Sequence, residues 1–194
     1  MPVFLRSQAQ GILALDLFTA GLLDGAKVYV LAVIEHGSRR VRVVGATGHP
    51  VQALVVQQAR NLLMDLEDTG TRVKFVLHDR DASVTAAFDA VFHAAAVRIV
   101  RSAVQAPRMN SVVERWIGGC RRELLDQTLI WNKRHLMIVL REYEDFCNTR
   151  RPHRALNQAA PLRPLPDGVT DPDQFRIQRR DRGGGVIHEY RLVA

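Results

Sequence analysis

The sequence predicts an α/β fold with one mixed five-stranded sheet flanked by helices. Two observations lead to this prediction. Three apolar runs, residues 11–18, 28–35 and 39–47, follow one another closely, and short links between strands favour antiparallel hairpins. From residue 51 onward, helical patterns alternate with short apolar runs, and a helix between two strands favours parallel pairing. The predicted sheet therefore starts with three antiparallel strands and continues with parallel additions.

The individual elements are delimited by periodicity and by chain-breaking residues. Residues 19–27 are expected to form a turn because they include Gly21 and Asp24-Gly25. After the third strand, the predicted order is helix 51–67, strand 75–77, helix 84–95, strand 97–100, helix 111–125 and helix 133–148. Pro152 ends the last helix, since proline cannot continue it.

The chain is expected to divide near residue 160. Residues 1–160 contain all of the predicted strands of the sheet and their helices, and they form the expected core domain. Residues 161–194 begin as a proline-rich linker and continue as an arginine-rich tail with the alternating sequence VIHEYRLV. Such a tail is typical of a small hairpin or a flexible arm.

Positive charge is concentrated in one part of the sequence. The formal net charge is +7 and the sequence pI is near 10.2. Residues 98–163 hold thirteen lysines and arginines against six acidic residues, so this region carries the whole excess. A solvated basic face would explain the pattern, but most of the charge is arginine, which is well suited to phosphate oxygens. The composition therefore favours nucleic acid as the partner.

Cysteine usage and hydropathy indicate an intracellular protein. Cys120 and Cys147 have no metal-binding spacing and fall at apolar positions of helical patterns, so both are expected to be buried free thiols. No stretch approaches the ~18 consecutive apolar residues of a membrane span. We therefore expect no membrane partner and a location in the cytoplasm.

Two aspartates are placed where strands form candidate sites. Asp16 lies inside the first apolar run, where an ionised carboxylate is costly unless it is paired or binds a metal. Asp79 directly follows the fourth strand, and sites in sheets with parallel pairing form beyond the carboxyl ends of strands. Each has a structural alternative: a nearby arginine would satisfy Asp16, and Asp79 or its neighbour Asp81 would serve as a turn residue or helix N-cap.

A third carboxylate, Glu114, stands near the start of the predicted helix 111–125. The sequence Ser111-Val112-Val113-Glu114 matches the capping box, in which the glutamate returns to the amide of the capping residue. The same helix carries Arg115, Arg121 and Arg122, and a carboxylate beside such guanidinium groups also suits a metal ligand next to a phosphate track. The spacing alone does not decide between these two roles.

Five short segments share their order and spacing with one family. They are LALDLF around Asp16, YVLAVIEHGSRRVRVVG after it, LHDRDASVT around Asp79, APRMNSVVERWIGGCRREL around Glu114, and NTRRPHRAL from Asn148. Together they resemble the catalytic core of retroviral-type integrases and insertion-sequence transposases, the D-D-E superfamily with a ribonuclease-H-like fold. The likeness includes integrase-core proteins of bacterial mobile elements.

The resemblance implies a catalytic site and its ligands. Asp16, Asp79 and Glu114 would be the catalytic residues and would bind two Mg²⁺ ions, or two Mn²⁺ ions. Three carboxylates suit these hard cations, which prefer oxygen ligands and keep several waters. Double-stranded DNA would be the partner, as element ends and as target. The expected DNA-binding residues are Arg108, Arg115, Arg121, Arg122, Arg151, His153 and Arg154.

The expected function is metal-dependent DNA strand cleavage and strand transfer in the integration or transposition of a bacterial mobile element. Full-length relatives carry a helix-turn-helix region before the core, which this chain is expected to lack. At least a homodimer is expected, because two DNA ends must be joined, and the nucleoid is the expected location. Two alternatives stay open: a catalytically inactive DNA-binding remnant, and a nuclease that cuts without joining.

Overall fold

A five-stranded mixed sheet forms the centre of the computed structural model, which describes residues 7–49, 52–79, 86–101, 110–165 and 176–193. Its strands are β1 (Ile12–Gly21), β2 (Lys27–Glu35), β3 (Val41–Thr47), β4 (Phe75–His78) and β5 (Arg98–Arg101). They lie in the order β3-β2-β1-β4-β5. The β1–β2 and β2–β3 pairs are antiparallel, whereas β1–β4 and β4–β5 are parallel. The predicted sheet is confirmed.

The first hairpin is longer than the sequence predicts. Residues 19–21 continue β1 instead of turning, because Thr19 and Ala20 pair with Tyr29 and Val28 of β2. The turn itself is confined to the residues between the strands. There the Asp24 carboxylate accepts a hydrogen bond from the Ala26 amide at 2.9 Å. Cross-strand pairing therefore outweighs the local turn signal of Gly21.

Helices cover both faces of the sheet. They are α1 (Gln52–Asp68), α2 (Ala86–Ala94), α3 (Ser111–Glu123) and α4 (Lys133–Thr149). The side chains of β1 alternate between the two faces. Ala14 and Phe18 pack in a cluster with α3 and α4, whereas Leu13 and Leu15 pack in a second cluster with α1 and α2. The first of these clusters also buries both cysteines as free thiols, as predicted.

Side chains of α4 protect the outer edge of the sheet. Strand β3 is an edge strand, and an exposed edge can pair with another chain. The Asn148 side chain accepts from the Val41 amide at 2.8 Å and donates to the Val41 carbonyl at 2.9 Å. The Glu144 carboxylate accepts from the Val43 amide at 3.2 Å. Both helix residues therefore replace the hydrogen bonds that a neighbouring strand would make.

The C-terminal tail forms a hairpin that rests on α4. Strands β6 (Arg176–Arg182) and β7 (Ile187–Val193) pair antiparallel. The Glu189 carboxylate, only 3% exposed, accepts from Arg182 at 2.7 Å and forms an ion pair with Arg150 at 2.9 Å. The Gly183 amide donates to Glu142 of α4 at 2.6 Å. Of the two predicted forms of the tail, the structure has the hairpin.

A membrane-spanning helix is absent from the described ranges, where no helix combines the length and the apolar character that a bilayer requires.

Candidate active site and basic groove

Asp16 and Asp79 occupy matching positions on neighbouring strands. The parallel register of β1 and β4 pairs Ile12 with Phe75 and Ala14 with Leu77. Continued by two residues, the same register sets Asp16 opposite Asp79, just past the end of β4. Neighbouring strands lie about 4.8 Å apart. The backbone therefore brings these two aspartates close together where β4 ends. We call this place on the central strands β1 and β4 the carboxylate edge.

The same two aspartates point to the face that carries α3. Ala14 and Phe18 flank Asp16 at two-residue spacing and pack against α3 and α4. Because strand side chains alternate between faces, Asp16 points to that face as well. Leu77 pairs with Ala14, so the alternation directs Asp79 to the same side. The half-buried Asp16 carboxylate also accepts a hydrogen bond from the Leu17 amide at 2.8 Å.

A buried chain of polar groups fixes the backbone of Asp79. His78 is 2% exposed, and its Nδ1 lies 2.6 Å from the Asp79 carbonyl oxygen. Its Nε2 lies 3.0 Å from Asp89 of α2, and Arg101 of β5 donates to the other oxygen of Asp89 at 2.6 Å. Both ring nitrogens therefore lie within hydrogen-bond distance of an oxygen atom. The backbone at Asp79 is thus held by His78, which is held in turn by Asp89 and Arg101.

Asn110 joins the start of α3 to β1. Its side chain is fully buried, and its Nδ2 donates to the Leu15 carbonyl at 3.2 Å, next to Asp16. Asn110 is also the N-cap of α3, so Ser111 is the first helical residue. The capping box would need Ser111 at the cap and Glu114 three residues later. Here Glu114 is the fourth helical residue, one position beyond that of a capping-box glutamate. Its role as metal ligand, helix cap or both stays a prediction.

Glu114 lies one helical turn beyond Asn110 on the exposed surface of α3. The fold thus places all three predicted carboxylates on one face of the sheet. They do not close into one ligand set, since no three His, Cys, Asp or Glu side chains within the described ranges are grouped to hold a metal ion. Like charges repel, so ionised carboxylates that approach one another need a bound cation between them or a shared proton. The shared ion site stays a prediction.

Four of the predicted DNA-binding residues line a single groove on this face. Arg115, Arg151, His153 and Arg154 are joined there by Arg39, from the turn between β2 and β3. We call this site of about 270 Å³ the basic groove. Its remaining lining residues are Ile34, Val41, Val112, Trp116, Gly119, Tyr143, Pro152 and Ala155. The groove includes Arg115, the residue that follows Glu114 in α3.

One ion pair supports the wall of the basic groove. Arg151 forms two hydrogen bonds with the Glu123 carboxylate of α3, one of them at 2.7 Å, and a third with the Tyr143 hydroxyl at 2.9 Å. That hydroxyl donates to Glu123 at 3.0 Å. Burial raises the pKa of Glu123, but the hydrogen bonds and charge of Arg151 lower it by more, so the net shift is downward. The segment after α4 is therefore tied to α3.

Two of the remaining predicted DNA-binding residues, Arg121 and Arg122, are described by the structure, and neither lines this groove. The Arg121 guanidinium stacks over the Phe18 ring at 5.8 Å, on the face to which Asp16 points. Arg122 is exposed on α3. Arg108 lies outside the described residues, as does Asp81. Arg121 therefore lies on the face to which Asp16 points, and four other predicted residues line the groove.

Three residues of this region were missed in the sequence. Asp89 stands between apolar residues of an alanine-rich helix, and a lone acid there was an available signal for a buried polar contact. His78 directly precedes Asp79, which was a second signal. Arg39 gave none, because it reaches the groove through the geometry of a hairpin turn.

Comparison with known proteins supports the resemblance. Residues 95–161 match the family model for the integrase core domain. This segment includes α3 with Glu114, α4 and the arginines after it. No characterised protein sequence matches the chain significantly.

Solved structures match over most of the chain. One is a chain of the simian T-cell lymphotropic virus intasome in complex with PP2A regulatory subunit B56 gamma, with a TM-score of 0.60, 15% identity and 84% of this chain covered. The chain spans only 59% of that protein's length. The HTLV-2 integrase catalytic core domain in complex with magnesium gives a TM-score of 0.57 at 12% identity, over 77% of this chain and 93% of its own. The catalytic domain of Mos1 mariner transposase gives 0.56 at 15% identity, over 73% and 76%.

At these identities the structural likeness shows the fold. It is the ribonuclease-H-like fold of integrase and transposase catalytic cores, with the mixed sheet that the sequence predicts. The resemblance found in the sequence is confirmed by the family match and by these structures.

Proposed function

We propose that this chain is the catalytic core of a DNA integrase or transposase, a metal-dependent polynucleotidyl transferase that cleaves and joins DNA strands. The observation that carries the proposal is the placement of Asp16 and Asp79 at matching positions of parallel neighbours, on the face covered by the helix of Glu114. Integrase and transposase cores share the fold. The proposed setting is a mobile element in a bacterial cell, acting at the nucleoid.

The proposed ligands are two Mg²⁺ or Mn²⁺ ions held by Asp16, Asp79 and Glu114. Their oxygen donors suit hard cations. The parallel register of β1 and β4 supports a shared position for Asp16 and Asp79. When bound, such ions activate the attacking hydroxyl and stabilise the leaving oxygen of an in-line displacement. The chain's own contribution is positional. His78 and Asn110 fix the backbone at Asp79 and beside Asp16, and the rigid sheet keeps the two carboxylates in register.

The proposed partner is double-stranded DNA bound along the α3 face. Arg121 and Arg122 would contact phosphates near the carboxylates, and Arg115, Arg151, His153 and Arg154 would hold the strand in the basic groove. Phosphate contacts of this kind position the duplex without reading its sequence. Joining two ends would require at least a homodimer. Residues 1–160 would form the catalytic core, and residues 161–194 a linker and a basic tail.

A strand-cleavage assay on duplex DNA with Mg²⁺ or Mn²⁺ tests the proposal. Asp16→Asn and Asp79→Asn should each reduce cleavage and joining by about 10³-fold or more, since each removes a ligand charge worth several kcal/mol. Asp126→Asn, an exposed acid beyond α3, is the matched control and should keep full activity. Unchanged activity in the Asp79→Asn protein would contradict the proposal.

A second candidate function is that of a DNA-binding remnant without catalysis. The open arrangement of the three carboxylates within the described ranges is compatible with such a remnant and equally with an active core. Such a remnant would bind DNA with no cleavage in either metal. Cleavage without joined products would instead indicate a nuclease.

A further inference from the structure

The basic groove concentrates positive charge in a concave site. Three guanidinium groups, those of Arg39, Arg115 and Arg154, share its lining with Arg151 and His153. The carboxylate bound to Arg151 is Glu123, and its oxygens already accept from Arg151 and Tyr143. The described residues that line the groove include no acidic side chain. Like charges held around one cavity attract an anion, and walls of low polarity strengthen that attraction.

The charged side chains that line the basic groove repel one another. Burial and the charge of Arg115 lower the pKa of Arg39. Burial, followed by the charges of Arg151 and Arg39, lowers the pKa of His153. The His153 Nε2 atom is buried and has no hydrogen-bond partner within the described ranges. A bound anion would relieve the repulsion and could accept from that nitrogen.

Arg39 occupies a backbone conformation that arginine rarely adopts. Its φ is +63°, in the left-handed region that favours Gly or Asn. Two hydrogen bonds hold the turn: the Arg39 amide donates to the Glu35 carbonyl, and the Glu35 amide donates to the Arg40 carbonyl, both at 2.9 Å. The turn thus holds a long cationic side chain where a small residue is less strained. Strained positions of this kind cluster at functional sites.

We infer that the basic groove is a binding site for a phosphate group of a nucleic-acid strand, and that Arg39 is one of its ligands. Guanidinium groups match phosphate oxygens with paired hydrogen bonds. The apolar side chains of Val112, Pro152 and Ala155, which are partly or fully exposed, offer a surface for the attached sugar. The inference rests on the proposed function, because the groove includes Arg115, the residue after Glu114, and would hold a strand that passes the carboxylates.

The phosphate could be a bridging phosphodiester or the 5′ end of a strand. Binding of a labelled single-stranded oligonucleotide to the full chain, followed by fluorescence anisotropy in EDTA, separates the two sources. The oligonucleotide is used with a 5′-phosphate and with a 5′-hydroxyl. Inorganic phosphate serves as the competitor. EDTA keeps the measurement independent of catalysis, so failure of the cleavage proposal would leave this result intact.

Arg39→Asn is the test variant, because asparagine keeps the left-handed turn and removes the guanidinium. Arg60→Gln is the matched control, an exposed arginine of α1 on the opposite face with the same change in charge. Arg39→Asn should weaken binding about tenfold, as expected for one charged hydrogen-bonding ligand. It should also make the plot of log affinity against log salt concentration less steep, by the amount expected for the loss of about one phosphate contact. Arg60→Gln should change neither quantity.

The probes then identify the source. A loss confined to the 5′-phosphorylated probe, together with competition by inorganic phosphate, indicates a terminal phosphate. An equal loss for both probes indicates the bridging phosphodiester. Equal effects of Arg39→Asn and Arg60→Gln would overturn the inference, since only overall charge would then matter. If Arg39→Asn fails to fold, Arg154→Gln replaces it, because that exposed side chain leaves the turn intact.

Discussion

The carboxylate edge and the basic groove lie on the same face of the sheet but are built in different ways. Asp16 and Asp79 stand on, or directly after, central strands, with the backbone at or beside them tied down by Asn110 and His78. The groove is assembled from a hairpin turn, an exposed helix face and the segment after α4. Its wall depends on the contacts of Arg151 with Glu123 and Tyr143.

This difference matches the demands of the two proposed tasks. Metal ligands must be held within about 0.5 Å of their productive geometry, which strands and buried hydrogen bonds provide. Phosphate contacts tolerate more freedom, because a guanidinium on a long side chain can follow the backbone of the nucleic acid. Substitutions at the carboxylate edge should therefore mainly reduce kcat, and substitutions in the basic groove should mainly weaken DNA binding.

The largest effect is expected from Asn110→Ala. This change removes the hydrogen bond that ties α3 to the carbonyl before Asp16, so Glu114 would lose its fixed position relative to β1. A displacement of about 1 Å can reduce turnover by about 10²-fold, and kcat should fall by that amount while DNA affinity stays unchanged. Gln127→Ala, an exposed change beyond α3, is the control. If Asn110→Ala reduced kcat and DNA affinity equally, the carboxylate edge and the basic groove would not have separate roles in chemistry and binding.

His78→Phe should weaken the support behind Asp79. The variant removes both ring nitrogens, loses the bond to the Asp79 carbonyl and leaves Asp89 with Arg101. Losing one partner of a buried polar group costs about 2 kcal/mol, which urea denaturation would measure. Arg101→Gln, whose side chain is 55% exposed, should cost under about 1 kcal/mol. A larger cost for Arg101→Gln would show that the exposed pair, not His78, is the main support.

Asn148→Ala should lower the stability of the chain and weaken binding in the basic groove. The substitution removes both hydrogen bonds from α4 to Val41 of the edge strand. We expect a loss of about 1–2 kcal/mol in unfolding free energy, because the backbone groups regain water at the sheet edge. The segment 150–155 follows directly, so oligonucleotide binding should weaken while Mn²⁺ affinity stays constant. Asn61→Ala, at an exposed position of α1, is the control.

The smallest effect is expected from Glu123→Gln: a slight loss of stability at neutral pH that disappears at acidic pH. The folded-state pKa of Glu123 is depressed, because the contacts of Arg151 outweigh the effect of burial. Its contribution is therefore present above the ordinary carboxyl pKa and is lost as pH falls through the folded value. Since the side chain is 36% exposed, about 1 kcal/mol or less is expected. Unfolding free energies measured across acidic pH should fall in the parent chain and stay flatter in the variant.

Local patterns predicted the sheet and its helices because they reflect burial. The apolar runs of residues 11–18 and 28–35 indicate buried strands, and β1 and β2 are found there with mostly buried side chains. The end of β1 was not predictable, since pairing of Thr19 and Ala20 with β2 overrides the turn signal.

The candidate site was only partly predictable for the same physical reason. Arg115, Arg151, His153 and Arg154 were expected to bind DNA, but their assembly into one groove depends on the packing of α3 against α4. Arg39 comes from a segment more than 70 residues earlier in the chain. The bonds of Asn110 to Leu15 and of Asn148 to Val41 are long-range hydrogen bonds. Such contacts leave no trace in local periodicity.

The most direct measurement is the location of bound Mn²⁺ by anomalous scattering in crystals of the chain, compared with crystals of Asp79→Asn. We expect an anomalous peak between the carboxylates of Asp16 and Asp79, with oxygen ligands at about 2.1 Å, and its disappearance in the variant. A peak elsewhere, or an unchanged peak in Asp79→Asn, would contradict the assignment of these aspartates as the metal-binding edge.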